Sequence, residues 1–424
     1  MIRSANSTPV TLCPFHLCVV WCCFVAAAFS LPAWAQQADL FLTNARVITR
    51  AGEVLENASI AISKGRISSV SPSAVATTAG QVLNLSGTGY TVLPGLIDTH
   101  VHVIPVAGID SDEALARYLS KSLPERLESF LAAGVTTVYD EGDFWPTISE
   151  TKARIAEGAL RGPRLFAVGL ILTAPGGHPV STLCPTNAYC QTNRAVQLDS
   201  PELARRTVDR LAKAGVDGIK VVHQGRGVTM SRTVLDAIIG QARVYGIPVD
   251  SHDETVDGAI EAVQAGVSRL AHPPYRSNIE GTRFVELVVG SGVKVAMTVG
   301  EGPRSRTPDR LAEFELAKSN FQAMRRRNVL LSFGTDTSNG TGYADRLWGE
   351  VQTLRDVGMS PGEILAAMTR DAAIYLGRDR ELGGIEEGKL ADLVIVKGDP
   401  LSDVSALRNV VVVVKGGSIL VDKR

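Results

Sequence analysis

The middle of the chain repeats one unit, in which an amphipathic helical pattern is followed by a glycine and then by a short apolar strand. Helical patterns cover residues 125–133, 201–214, 231–245 and 256–265. Strand patterns cover residues 136–139, 164–168, 218–222, 247–250, 268–271, 294–298 and 329–333, and one more ends at His102. Eight alternating units favour an α/β fold of the (β/α)8 TIM-like barrel type, because no glycine-rich dinucleotide turn follows the first strand. In such barrels the active site lies at the carboxyl ends of the strands.

Both ends of the chain have a different sequence pattern from the middle. Short β-prone runs separated by Gly, Asn and Ser occupy residues 40–48, 58–62, 67–70 and 82–85. The same pattern returns at residues 391–396, 410–414 and 418–421. We therefore predict a small β-sandwich domain formed by both termini, residues 36–90 plus 383–424, around a barrel of residues 91–382.

The first 35 residues predict a secretory signal peptide. A single Arg at position 3 precedes an apolar run from Leu17 to Leu31, and Ala33-Trp34-Ala35 supplies small residues for cleavage. A membrane anchor is the alternative, but the run is short for a span. No later stretch is apolar enough to cross a bilayer, so we expect a periplasmic or secreted protein with no stable membrane span after signal removal.

Charge and cysteine content limit the partners. Among 424 residues the formal net charge is −1, which gives no electrostatic footprint for nucleic acid, so we expect a small-molecule or dipeptide substrate and leave a homo-oligomer open. Four of the six cysteines lie in the signal peptide. The other two, Cys184 and Cys190, predict a local disulfide in an oxidising compartment, with two free thiols as the alternative. Neither has an activating basic neighbour.

Histidines gather at the strand ends. His100 and His102 are two residues apart at the end of the first strand, and a strand places them on one face. Other strand ends carry Lys220, His252, His272 and Asp336. Taken singly, each is more often a structural or surface residue. Together, four of the six histidines outside the signal peptide meet one carboxylate at the same rim, which predicts a metal site.

Lys220 needs a separate explanation, because an ammonium group cannot ligate a metal and is repelled by one. Carboxylation of its amine by CO2 removes this conflict, since the resulting carbamate has two oxygens that bridge two metals. We predict that Lys220 is N6-carboxylysine.

With these residues the chain resembles the amidohydrolase superfamily, and within it the dipeptidase (prolidase-like) and imidazolonepropionase-related branch. The resemblance covers essentially all of the chain after the signal peptide. It rests on the strand-end residues above and on three motifs, which are residues 94–102 (PGLIDTHVH), 334–336 (GTD) and 388–394 (GKLADLV).

The resemblance implies a binuclear metal centre. His100, His102 and Asp336 would hold the more buried metal, His252 and His272 would hold the second, and carboxylated Lys220 would bridge both. A metal-bridging hydroxide would attack the substrate carbonyl, with Asp336 as the catalytic proton shuttle. Zinc suits imidazole and carboxylate ligands, with manganese, cobalt or nickel as alternatives.

Substrate contacts are predicted from the loops after the strands. His178 lies in a Gly-Gly-His loop like that of the family, and Tyr275 follows His272. His223 lies just past Lys220, where relatives carry a small or hydroxyl residue. Tyr275 and either Arg304 or Arg306 are predicted to hold a carboxylate. Asp253-Glu254 replaces the Ala-His of many relatives and changes the charge beside His252.

The predicted function is an exported metal-dependent amidohydrolase that cleaves a carbon-nitrogen bond in a dipeptide or an N-acyl amino acid. Two other enzymes remain alternatives, a cyclic amide hydrolase like imidazolonepropionase and a mononuclear deaminase. Lys220 argues against the deaminase, which has no need of a bridging ligand. A non-catalytic binding protein is the alternative from a different class, and the intact set of metal ligands argues against it.

Overall fold

A computed structural model describes residues 38–50, 52–75, 80–298, 308–337 and 342–424. The predicted signal peptide and both Arg304 and Arg306 lie outside these residues. The strands are β1 Leu40–Ile48, β2 Val54–Ser63, β3 Arg66–Ser71, β4 Gln81–Asn84, β5 Tyr90–Pro94, β6 Leu96–Val101, β7 Val135–Asp140, β8 Arg164–Ala167, β9 Ile171–Thr173, β10 Ala195–Gln197, β11 Ile219–Gly225, β12 Val228–Thr229, β13 Val249–Asp253, β14 Arg269–Leu270, β15 Lys294–Met297, β16 Leu331–Phe333, β17 Leu393–Lys397, β18 Val410–Lys415 and β19 Ser418–Asp422. The α-helices are Asp112–Lys121, Leu123–Ala132, Thr147–Ala156, Ala188–Asn193, Pro201–Lys213, Arg232–Val244, Val256–Ala265, Phe284–Ser291, Pro308–Arg326, Tyr343–Asp356, Pro361–Ala367 and Arg370–Leu376, and one 3-10 helix covers Val404–Arg408.

The predicted (β/α)8 barrel is confirmed. Its strands pair in parallel, β6 with β7 and β7 with β8, and then β9 with β11, β13, β14, β15 and β16 in that order. A parallel bridge between Val101 and Thr337 joins the first strand to the end of the eighth. The carboxyl ends of the strands therefore meet at one rim.

The third barrel position is split, which the sequence pattern does not indicate. β8 pairs with β7, whereas β9 pairs with β11, and Gly169 lies between the two segments with a φ of +79°. A Cβ atom at Gly169 would lie 2.8 Å from the Trp145 ring, so both the backbone angle and the close contact require glycine.

The helices around the barrel follow their sequence signals. Pro201–Lys213 begins after Ser200, whose side chain caps the helix by accepting a hydrogen bond from the backbone N–H of Leu203. Its buried residues Ala204, Val208 and Leu211 follow helical spacing and face the barrel. Val256–Ala265 ends at Gly266, which adopts the left-handed conformation common at helix ends.

The two ends of the chain form one mixed eight-stranded sheet. Its order is β19-β18-β17-β5-β1-β2-β3, with β4 paired to β1. Some of its buried side chains form a core of their own, and others, such as Leu93 and Val413, pack into the core of the barrel. The predicted boundary at residue 90 falls at the start of β5, which runs to Pro94 within this sheet. β6 follows after Gly95 alone, so the sheet leads directly into the first barrel strand.

None of the helices in the described part of the chain combines the length and the apolar character of a membrane span. Cys184 and Cys190 are joined by a disulfide in the loop after β9.

Candidate metal centre

The first barrel strand presents two imidazoles whose Nε2 atoms are free to bind a metal. The Nδ1 of His100 lies 3.0 Å from the carbonyl oxygen of Ala271, and that of His102 lies 2.9 Å from the carbonyl oxygen of Gly142. A carbonyl only accepts, so each Nδ1 carries the proton. This arrangement fixes the tautomer in which Nε2 keeps its lone pair, as second-shell contacts do in metal sites.

His272 and His252 complete the group of imidazoles. The hydroxyl of Thr298 donates to Ala271 and therefore accepts from the Nδ1 of His272, which leaves the Nε2 of His272 free. The Nε2 of His252 is buried and has no hydrogen-bond partner among the described residues. The ring centre of His272 lies 4.7 Å from those of both His100 and His252. A buried imidazole nitrogen without a hydrogen-bond partner, beside other imidazoles at this spacing, fits a metal ligand.

Asp336 lies between the imidazoles. Its Oδ1 atom is 3.5 Å from the Nε2 of His100 and 3.4 Å from that of His102. Ligand atoms of His100, His272 and Asp336 all lie within 4.8 Å of one another. Asp336 has a φ of +48°, and its backbone N–H donates to the carbonyl of His100, which holds the carboxylate against the first strand. A non-glycine residue in this region is uncommon and points to a functional constraint.

Burial sets the charge state of the centre. It lowers the pKa of His100, His252 and His272, and the nearby Lys220 ammonium lowers these pKa values further, so the rings are neutral and able to ligate. Burial alone would raise the pKa of Asp336, but the neighbouring histidines hold it well below its usual value. The centre therefore offers neutral nitrogen ligands and one anionic oxygen ligand.

Lys220 is buried beside the histidines, with its Nζ 3.1 Å from the Oε2 of Glu141. Glu141 was missed by the sequence reasoning. Its side chain is fully buried, and Lys220 is its one polar partner within the described residues. Burial raises the pKa of Glu141 to about 7, and Lys220 opposes the rise. The available signal was a charged residue that continues the buried strand β7.

Asp98 is a second residue that the reasoning missed. It accepts hydrogen bonds from the backbone N–H groups of His100 and Thr335 and from the hydroxyls of Thr335 and Tyr343. It thereby joins the strand that carries His100 to the segment that carries Asp336. Its place two residues before His100, on the same strand face, was the available signal.

Two of the three predicted substrate contacts lie at the centre. The His178 ring stacks on that of His252 with centres 5.0 Å apart, and its Nδ1 lies 2.5 Å from the Thr182 hydroxyl oxygen. The Tyr275 ring is centred 6.4 Å from both His252 and His272. The structure does not bring His223 to them, because its ring contacts Glu261 on the helix Val256–Ala265 at 3.3 Å. Adjacent positions of a strand face opposite ways, and His223 is three residues from Lys220.

The residue types fit divalent cations. Buried imidazoles with free nitrogens and a carboxylate form a ligand set for zinc or a similar transition metal. His100, His272 and Asp336 are the three whose atoms already meet, whereas His102 and His252 lie at either side of them.

Comparison with known proteins agrees with this geometry. Over 396 residues the chain is 25% identical to an imidazolonepropionase from Rhizorhabdus wittichii, covering 84% of this chain and 93% of the relative. A solved Xaa-Pro dipeptidase with bound methionine is 26% identical, with a TM-score of 0.77 over 90% of this chain and 99% of the other. Phenylurea hydrolase B, 24% identical over 91% of this chain and 97% of its own, shares the fold with a TM-score of 0.78.

The model of the amidohydrolase family matches residues 91–420, which include the whole barrel and every predicted metal ligand. The chain thus belongs to the amidohydrolase family, and it is a metal-dependent hydrolase that acts on carbon-nitrogen bonds.

Proposed function

We propose that this protein is an exported two-metal hydrolase that cleaves the amide bond of a dipeptide or an N-acyl amino acid. The observation that carries the proposal is the meeting of imidazoles with free nitrogens and Asp336 at the rim of the barrel. Its similarity to a Xaa-Pro dipeptidase over nearly the whole described chain supports the substrate class.

Two divalent metals, zinc in the first instance, are proposed to bind here. His100, His102 and Asp336 would hold one, and His252 and His272 would hold the other. Lys220, carboxylated by CO2, would lie between them, which requires it to leave Glu141. When bound, such metals lower the pKa of water and polarise a carbonyl group.

Residues of the chain position the substrate and move the proton. Asp336 lies 3.4 to 3.5 Å from the ligand nitrogens of His100 and His102, so its Oδ1 is placed to take a proton from the attacking water and return it to the leaving nitrogen. The tautomers fixed by Ala271 and Gly142 leave the Nε2 lone pairs of both imidazoles for the metal, and coordination there would keep them from competing for that proton. His178 is placed on the outer side of His252 to contact the substrate.

A cyclic amide is the second candidate substrate, because the relatives identified by sequence are imidazolonepropionases. Lys220 argues against a mononuclear deaminase, which has no need of a bridging ligand. Export is proposed from the signal pattern of residues 1–35 and accords with the disulfide between Cys184 and Cys190. N-terminal sequencing of the protein from a periplasmic fraction tests it, and a start at Met1 contradicts it.

The decisive experiment is a screen of zinc-loaded protein against L- and D-dipeptides, N-acyl amino acids and cyclic amides, followed by metal counting. We expect cleavage within the first two groups and two metals per chain. Asp336→Asn should abolish turnover, whereas Asp236→Asn, at an exposed ion pair, should retain it. Hydrolysis of cyclic amides alone would contradict the dipeptidase proposal, and one metal per chain would contradict the binuclear centre.

A further inference from the structure

A tight hairpin places one arginine close to the metal centre. β11 pairs with β12 in antiparallel fashion through Gln224 with Thr229 and Gly225 with Val228, so Arg226 and Gly227 form the two-residue turn. Their φ angles are +52° and +82°. Turns of this type favour Asn or Asp followed by Gly, and an arginine in the left-handed region costs about 1 kcal/mol. The turn chemistry therefore does not explain why an arginine occupies this position.

The Arg226 side chain contacts one carboxylate that lies next to the metal centre. Its Nε atom is the guanidinium nitrogen that approaches Glu254, 3.7 Å from Oε1, and the same Oε1 lies 3.9 Å from the Nε2 of His252. The backbone N–H of Arg226 also hydrogen-bonds Glu254, whereas across the described residues its side chain has no other ion pair or hydrogen bond and is 39% exposed.

A second arginine nearby is already committed. The Nε of Arg276 lies 3.0 Å from Oε2 of Glu254, and its Nη2 lies 2.6 Å from Glu313. Glu254 itself is buried, with 2% of its side chain exposed, and its carboxylate pairs with both arginines. Arg226 alone keeps both terminal nitrogens available for a ligand.

Tyr275 faces the same space from the loop after β14. Burial and the neighbouring Glu254, with which its hydroxyl shares a hydrogen bond, raise the pKa of Tyr275, and its ring lies 6.4 Å from that of His252. Tyr275 is thus a further partner of Glu254, and the guanidinium of Arg226 is the group suited to a carboxylate, which arginine binds through two parallel hydrogen bonds.

We propose that Arg226 binds the free carboxylate of the substrate and thereby restricts the enzyme to amides whose leaving amine carries a carboxylate. The inference rests on the proposed function and specifies its substrate class. In a dipeptide or an N-acyl amino acid the carboxylate carbon is two bonds beyond the amide nitrogen. The same Oε1 of Glu254 lies less than 4 Å from both the Nε of Arg226 and the ligand nitrogen of His252, so the guanidinium lies beside the metal centre.

The test compares substrates with and without the charge. Hydrolysis of an N-acetyl amino acid and of its C-terminal carboxamide is measured with wild-type protein and with Arg226→Asn, which suits the turn, and Arg226→Lys, which keeps the charge. Arg226→Asn should raise KM for the free acid about 10- to 100-fold with little change in kcat, because the contact is made equally in the ground and transition states. KM for the carboxamide should not change, and Arg226→Lys should lie between.

Arg206→Ala is the matched control, because it removes one exposed positive charge on the helix Pro201–Lys213, where Arg206 pairs with Glu202. It should leave both substrates unaffected. Equal losses on acid and carboxamide in Arg226→Asn, or no loss on either, would overturn the inference.

A binding measurement separates this inference from the proposed function. Calorimetry uses the methylphosphonyl derivative of L-alanine, which is not an amide substrate, and its carboxamide. Preference for the free acid that disappears in Arg226→Asn supports the inference even if the hydrolysis screen fails. Equal affinity of wild-type protein for both probes rejects it even if a dipeptide is cleaved.

Discussion

At the scale of single residues, Asp98 is the buried carboxylate that joins the two sides of the metal centre. We predict that Asp98→Asn lowers the free energy of unfolding by about 2 kcal/mol. The NH2 group of the asparagine would face buried N–H and hydroxyl donors that now bond to the carboxylate. Metal content should fall as well, since His100 and Asp336 lose their common anchor. Urea unfolding and metal analysis check both. Asp236→Asn, at the exposed pair with Arg232, is the control and should change neither.

Glu141 and Lys220 form a buried pair of opposite charges. In metal-free protein we predict that Glu141→Gln destabilises the fold by about 3 kcal/mol, because it leaves the buried ammonium without a counter-charge. Lys220→Met should cost a similar amount, and the double variant much less than the sum of the two. Urea unfolding of all four proteins measures the coupling. Additive effects would show that the 3.1 Å contact is not an ion pair.

At the scale of elements, the loop after β9 depends on its disulfide. Cys184 and Cys190 are six residues apart, and closing such a loop stabilises the fold by about 2 kcal/mol. We predict this loss for the variant Cys184→Ala/Cys190→Ala in urea unfolding. KM should rise, because the hydroxyl of Thr182, which contacts the His178 ring, lies in the same loop. Wild-type protein treated with a reductant should behave like the variant. An unchanged KM would show that the disulfide does not position His178.

The sequence predicts the helices and strands better than it predicts the directions in which single side chains point. The strands ending near His100, Lys220 and His252 are those of the barrel, because buried parallel strands are short apolar runs between helices. The direction of His223 was not accessible, since its side chain turns towards a helix that is distant in sequence. The split between β8 and β9 depends on Gly169 meeting Trp145, a contact that no local pattern encodes.

At the scale of the whole molecule, the metal centre spans the junction between the first and the eighth barrel strands, where backbone hydrogen bonds run from His102 to Thr337 and from Asp336 to His100. The described bridge between the first strand and the end of the eighth is the single pair Val101 and Thr337, and β14 has only two residues. The predicted ligands lie on or beside β6, β11, β13, β14 and β16. Bound metals would therefore cross-link strands from both sides of this seam, so their contribution to stability should belong to the barrel as a whole.

We accordingly predict that removing metal with a chelator lowers the unfolding temperature as well as abolishing hydrolysis. A ligand at a thousand times its Kd stabilises the native state by about 4 kcal/mol, and zinc restored at that excess should recover this amount. Calorimetry of chelated and reloaded protein measures it, with metal content determined in parallel. Asp336→Asn should unfold at nearly the same temperature with and without zinc, because it lacks the carboxylate that lies against His100 and His102. If chelation removes the metal from wild-type protein and leaves its unfolding temperature unchanged, the centre does not hold the barrel together.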